Sequence, residues 1–411
     1  MGRTLSGAHF GRRIRRSKEE ARLDNELERQ KALRNKQFLV IALCGLLFQI
    51  AMTLQSGVQM NFYSQHLGLN GEQVGWISSI REIPGLLSMV LAMVAVFFTE
   101  GVMSALCAVL LGIGIFLFAP ASNLTSLIIP TTVMSIGFHL FSPVQSSMIL
   151  RTAGPGQRAT RMGQLNSINA AGAVISAFLV WLLFPRIQYK GIFYVAAGIA
   201  FVAAGVIYFA RREGKANLRK SIVFKWKYIQ YYLLTLLGGS RRHINQTFAA
   251  LLMVERFGCT PATIATLMVI ANILAILTRP VVGGIIDRLG EGKALTFSYS
   301  VITVLFVGYA FAPQLWMVYA LFIIDNLFLG FEMAITTFLD KIAPREDVQP
   351  SLQMGQTINH IAGVSVPVFG GVIWKAWGPA ATFLLGAAIC GLSLLQAARV
   401  PRVEADTAVA D

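Results

Sequence analysis

Three ionisable residues, Arg241, Arg242 and His243, stand side by side within the apolar stretch 228–254. Charged groups in such surroundings are costly unless they face protein or water, so each is a candidate for function. Consecutive helical residues fan across about 200°, so the three cannot share one partner. Either one arginine is locked in an ion pair with a neighbouring helix, or the group forms a cationic wall that attracts an anionic or carboxylate-bearing molecule. A complementary stripe lies farther along the chain. Asp325, Glu332 and Thr336 share one helical face, with Asp340 close to the same side at the end of that segment. A carboxyl that alternates between a dry site and a salt bridge changes its proton affinity, so Asp325 or Glu332 could couple movement to protons; a fixed salt bridge to Arg241 or Arg242 is the competing reading.

Further polar groups lie in other apolar segments. Arg81 and Glu82 precede Pro84-Gly85, a point where a helix is expected to kink. Neighbours in a helix diverge by about 100°, so they are not expected to be each other's best partners, and at least one should reach another segment. Gln49, Thr53 and Ser56 form one polar face of the first apolar segment, with Gln55 and Gln59 to one side. His139, Asn166, Asn169, Asn359 and His360 are further candidates for binding or for bridging helices. Arg279, Arg151, Arg158 and Arg161 lie near segment ends, where gating or topology is the expected role.

The elements that carry these residues are read from hydropathy. Mean hydropathy is +0.61 and 55% of residues are hydrophobic, against 13% charged, over all 411 positions. A soluble chain could not hide that much apolar surface. Segments long enough to cross a bilayer are expected at 37–62, 73–98, 102–119, 124–149, 162–184, 191–210, 228–254, 261–282, 294–312, 314–339, 354–376 and 379–398. The net charge of +15 does not indicate nucleic-acid binding. With both termini cytoplasmic, most Lys and Arg fall on the cytoplasmic side, whereas Arg186, Lys190, Arg256 and Lys375 fall outside and Arg81, Arg241, Arg242 and Arg279 within spans.

The first 36 residues form a basic tail suited to a headgroup surface, without the apolar core of a signal peptide. Met1-Gly2 with Ser6 also fits the myristoylation pattern. Cys44, Cys107, Cys259 and Cys390 lack the spacing of a zinc site or a disulfide framework.

An offset of roughly 190 residues brings the chain into register with itself. Gly137-Phe138-His139 meets Gly330-Phe331-Glu332, Met162-Gly163-Gln164 meets Met354-Gly355-Gln356, and Leu67-Gly68 meets Phe257-Gly258. His139 and Glu332 would then face each other across a pseudo-twofold centre. The expected organisation is a tail at 1–36, a six-helix bundle at 37–210, a cytoplasmic linker at 211–227, a second bundle at 228–398 and a tail at 399–411.

Gly283-Gly284-Ile285-Ile286-Asp287-Arg288-Leu289-Gly290-Glu291-Gly292-Lys293, between spans eight and nine, resembles the loop signature of the major facilitator superfamily. The first-half copy is missing, because Val94 to Glu100 runs almost directly into span three, so that half would latch differently, through Glu100 for example. Pro367-Val368-Phe369-Gly370-Gly371 resembles an antiporter element of the same family, although it sits in span eleven rather than span five. The resemblance implies an all-α membrane protein with twelve transmembrane helices in two pseudo-symmetric six-helix bundles. It also implies a conformational gate at Gly283, Asp287, Arg288, Gly290 and Lys293.

The expected function is secondary active transport of a small organic solute by alternating access, coupled to protons and leaning toward efflux as an antiporter. The alternatives are uptake of an organic anion, or a non-transporting sensor or channel on the same fold. The chain shows no nucleotide-binding, metalloprotease or hydrolase motif, so neither an enzyme nor a cofactor is expected. The expected partners are the lipid bilayer, the solute and the proton, with no nucleic acid. The expected location is a bacterial inner or plasma membrane, as a monomer.

Overall fold

The computed structural model describes residues 5–87, 97–154, 157–210 and 224–401. The missing first-half loop signature, most of the linker and most of the C-terminal tail lie outside the described residues. Span one is the distal part of one helix, Leu5–Asn61, continuous with the basic tail. Its apolar part ends in a π-helical turn, Phe62–His66. Span two is described as Gly71–Leu86, span three as Glu100–Phe118 and span four as Leu124–Arg151. Spans five and six run through Arg158–Ala210, divided by a non-helical break at Gln188. The second half begins with Ile229–Ile244, a π-helical turn Asn245–Ala249 and Ala250–Phe257, which together make span seven. Pro261–Leu289 and Glu291–Phe311 are spans eight and nine. Span ten combines Leu315–Phe328, a 3-10 turn Leu329–Glu332 and Met333–Ile342. Spans eleven and twelve occupy Arg345–Ala397, divided at Gly378.

Helix starts follow local chemistry. Asn70 and Asn123 each accept from the backbone N–H three residues on while their own N–H is satisfied in return, and Thr99 and Thr260 accept from Val102 and Thr263. These caps satisfy donors that lipid or protein would otherwise leave bare.

The duplication is visible in backbone geometry. Gly68 and Gly258, the paired glycines of the loops before spans two and eight, have φ of 66° and 64°, a region that strains any residue with a Cβ. The breaks at Gln188 and Gly378 occupy equivalent positions, with φ of 53° and 81°. A third correspondence was only half legible. Glu100, at the start of span three, is buried and accepts from Ser147 at 2.8 Å and from Arg151 at the end of span four. Glu291, at the start of span nine, is buried and pairs with Lys341 at the end of span ten, 2.8 Å away. Each half therefore ties its third helix to its fourth with one ion pair.

Large apolar side chains remain exposed around the outside, among them Ile129, Trp181, Leu277, Val304, Phe311, Trp316 and Trp377. Such a surface is stable against acyl chains and not against water. Where the halves meet, spans two and eleven approach backbone to backbone. A Cβ on Gly75 would lie 2.2 Å from the Pro367 carbonyl oxygen, and one on Gly371 would lie 2.6 Å from that of Gly71. Pro367-x-x-Gly370-Gly371 is therefore a packing element between the halves.

Candidate functional site

Span seven delivers its three ionisable residues to three different places, as helical geometry requires. Arg241 is fully buried, donating to Asp325 Oδ1 at 3.0 Å and to Glu332 Oε1 at 2.9 Å. Arg242 donates to Glu332 Oε2 at 3.1 Å and to the side-chain oxygen of Asn359. His243 is buried toward the other half, beside Gly363 and Glu82.

Asp325 and Glu332 share Arg241 but not their environment. The Asp325 side chain is 0% exposed, whereas that of Glu332 is 24% exposed and that of Arg242 28%. The 3-10 turn Leu329–Glu332 between them winds about 20° per residue more than an α-helix, so Glu332 leaves the stripe that a continuous helix would have given it. Thr336 follows Glu332 onto the exposed face, and Asp340 is exposed at the span's end.

Arg242, Glu332, Thr336 and Asn359 line a cavity of about 420 Å³ together with Arg279, Gln356, Tyr231 and Thr235. Arg279 is thus on the cavity wall rather than confined to an end of its span. Tyr231 lies about three helical turns from Arg242, so the cavity extends toward the membrane side that carries both termini. Contacts between halves close the opposite side. Lys375 pairs with Glu72 at 2.5 Å, and Asn61 donates to the Cys259 carbonyl at 2.6 Å.

A second polar cluster joins spans two, four and eleven. Arg81 folds back onto its neighbour, with Nη2 at 3.1 Å and Nε at 3.3 Å from Glu82 Oε1. The two do pair, although adjacent helical positions were not expected to make the best partners: a long, flexible arginine side chain can wrap across the 100° that separates them. The other carboxylate oxygen does reach different spans, lying 3.1 Å from His360 Nδ1 and 3.8 Å from His139 Nε2. His139 thus lies against Glu82 and His360 while Glu332 engages the arginines, so the two positions expected to face each other across the pseudo-twofold centre belong to different polar clusters.

The polar face of span one is spent largely on itself. Gln49 donates to Thr53 at 2.9 Å, Ser56 donates to the Thr53 carbonyl at 3.3 Å, and Gln55 donates to Gln59 at 3.0 Å. In the gate segment, Gly290 ends span eight with φ of 79°, and Asp287, Arg288 and Lys293 are exposed. Its buried ion pair belongs to Glu291, which the sequence reading did not single out. The equivalence of Glu291 with Glu100 was the available signal.

The family model of the Major Facilitator Superfamily matches residues 41–348 and 232–410. No curated protein matches the sequence. Among solved structures, a point variant of the nucleoside transporter NupG is 13% identical with a TM-score of 0.75, covering 88% of this chain and 98% of that one. A bacterial homolog of the human lysosomal transporter Spinster, in an inward-facing and occupied conformation, is 15% identical with a TM-score of 0.70, covering 89% and 97%. A variant of the peptide transporter POT in complex with sulfate is 14% identical with a TM-score of 0.71, covering 90% and 95%. The same fold therefore spans essentially the whole length of all three. The chain belongs to the Major Facilitator Superfamily and is a multi-pass membrane transporter rather than an enzyme.

Proposed function

We propose that the protein is a proton-coupled secondary transporter of a small organic solute bearing an anionic group, and that Glu332 is the coupling carboxylate. The observation that carries this reading is the division of one carboxylate between two arginines, Arg241 sealed and Arg242 facing the cavity. When Glu332 is ionised it occupies Arg242. When Glu332 takes a proton, Arg242 is freed for an anion of the solute, and Arg279 adds a second cationic wall to the same cavity. Arg241 and Arg242 are balanced by Asp325 and Glu332, and an anion and a proton entering together leave the net charge of the cavity unchanged at a depth where added charge is costly. That bookkeeping favours co-transport over the antiport toward which the Pro-x-x-Gly-Gly element leaned.

Asp325 has a different part, as the permanent counter-ion of Arg241. The two halves rock about the contact of spans two and eleven. With both termini in the cytoplasm and the chain in the cell membrane as a monomer, the cavity faces inward.

The test is flux in proteoliposomes. Saturable accumulation of an organic anion should follow an imposed proton gradient. In Glu332→Gln, anion exchange should persist while proton-driven accumulation disappears. Full proton-driven accumulation by that variant would refute the assignment.

A further inference from the structure

The Glu82 cluster is absent from the transport cycle above, and its geometry calls for a cation. The Ser135 hydroxyl donates its only hydrogen to the Arg81 carbonyl. The two Ser135 oxygens that lie 3.0 Å from His139 Nδ1 are therefore both acceptors, and Nδ1 must carry the proton. In a neutral ring this leaves Nε2 as a bare lone pair, aimed at Glu82 Oε2 across 3.8 Å. Such a pair is stable with a positive species between them, either a proton on Nε2 or a metal ion, and the neighbouring ligands bear on which. The arrangement matches ligating histidines generally, whose second nitrogen is fixed by a carbonyl so that the first presents its lone pair.

The remaining donors converge on the same point. The ligand atoms of Glu82, His139 and His360 all lie within 4.8 Å of one another. The separations of Oε2 from the two histidine nitrogens, 3.1 and 3.8 Å, bracket the edge of about 3.4 Å expected for tetrahedral ligands of zinc. His243 supplies an independent observation. It is 5% exposed, its Nε2 has no hydrogen-bond partner among the described residues, and that nitrogen and Glu82 Cγ lie 2.8 and 2.9 Å from where a Gly363 Cβ would be. Arg81 occupies Oε1 and so fixes the carboxylate with Oε2 turned to the histidines.

We propose that Glu82, His139 and His360 form a binding site for a divalent transition metal of the zinc class, with His243 beside it. Imidazole with one carboxylate suits Zn²⁺, Co²⁺ or Ni²⁺ rather than Mg²⁺ or Ca²⁺. The ligands come from both halves, spans two and four on one side and span eleven on the other. A bound ion therefore ties the halves together at mid-depth.

The test is metal binding by the purified full-length protein, which does not depend on flux. Titration with Co²⁺ should give a tetrahedral ligand-field spectrum that saturates at one equivalent, and Zn²⁺ should displace it. His139→Gln, His360→Gln and Glu82→Gln should each weaken Zn²⁺ binding at least tenfold, while His66→Gln leaves it unchanged. Zn²⁺ should raise the thermal midpoint of the wild type but not of those three variants. The proposal is overturned if no saturable one-equivalent binding occurs, if the Co²⁺ spectrum is octahedral, or if binding survives His139→Gln together with His360→Gln. Should the variants fail to fold, the wild-type Co²⁺ spectrum alone decides.

Discussion

Asp325→Asn and Glu332→Gln should separate stability from coupling, although both carboxylates contact the same arginine. Removing one partner of a buried ion pair typically costs about 3–5 kcal/mol, because the other charge is left without compensation. Arg241 is 0% exposed, and in Asp325→Asn it keeps Glu332 at 2.9 Å, so the loss belongs at the lower end, about 3 kcal/mol. Glu332 is different because its side chain opens onto the cavity. Its removal leaves Arg241 neutralised by Asp325 and lets water reach Arg242, so about 1 kcal/mol is expected.

The assay is thermal unfolding of purified protein in one detergent, followed by the fraction that remains monodisperse. At about 2 °C or less per kcal/mol for a chain of this size, Asp325→Asn should lower the midpoint by about 5 °C and Glu332→Gln by no more than about 2 °C. Arg241→Met combined with Asp325→Asn should recover part of the loss, since the uncompensated charge is then gone. The reasoning fails if the two single variants are equally destabilised, or if Asp325→Asn is silent.

Three further outcomes follow from other contacts. Gly75→Leu should prevent spans two and eleven from closing, because even a Cβ would meet the Pro367 carbonyl at 2.2 Å; labelling of a cysteine placed beside Glu72 should rise several-fold relative to the parent. Glu100→Gln and Glu291→Gln should destabilise the fold by similar amounts, on the order of 1–2 kcal/mol each, and so shift the thermal midpoint about equally, as equivalent ties in the two halves; one silent and one severe variant would contradict that equivalence. Asp347, in the polar first turn of the helix Arg345–Ala397 and ahead of its apolar part, is approached by Lys225, Tyr228 and Lys227, which hold its carboxyl well below the usual carboxylate range. A depressed folded-state pKa stabilises above the unfolded value of about 3.9 and ceases to do so as pH falls through the folded value. The midpoint difference between wild type and Asp347→Asn should therefore be constant above about pH 4 and shrink below it.

Span order and the twofold repeat were legible because they rest on long-range averages: hydropathy over about 20 residues, and glycines whose positive φ no other residue adopts cheaply. The helical fan of Arg241, Arg242 and His243 was also legible, since adjacent residues in a helix must diverge. The environments of Asp325 and Glu332 were not, because the 3-10 turn that separates them has no marker beyond an ordinary Leu-Gly-Phe-Glu. The contact of Arg81 with its neighbour was not legible for a related reason: Cβ directions are set by the helix, but the guanidinium sits several rotatable bonds away. The meeting of Glu82 with His360 joins positions 278 residues apart, and only packing of the two halves creates it.

Span seven links the two polar clusters through consecutive residues, which constrains how the protein can move. Arg241 is anchored to span ten, Arg242 faces the cavity, and His243 lies against Glu82 of the other half. These residues share one helical turn, followed directly by the π-helical turn Asn245–Ala249. Any rotation that swings Arg242 away from Glu332 must also carry His243 relative to Glu82, because the π-helical turn begins only after both residues. The Arg241 anchor, with both of its partners on span ten, resists that rotation. In the proposed cycle, loading of the cavity is registered at the contact between the halves when spans seven and ten move as one body, and a variant that frees Arg241 should loosen that link even with Glu332 and the Glu82 cluster intact.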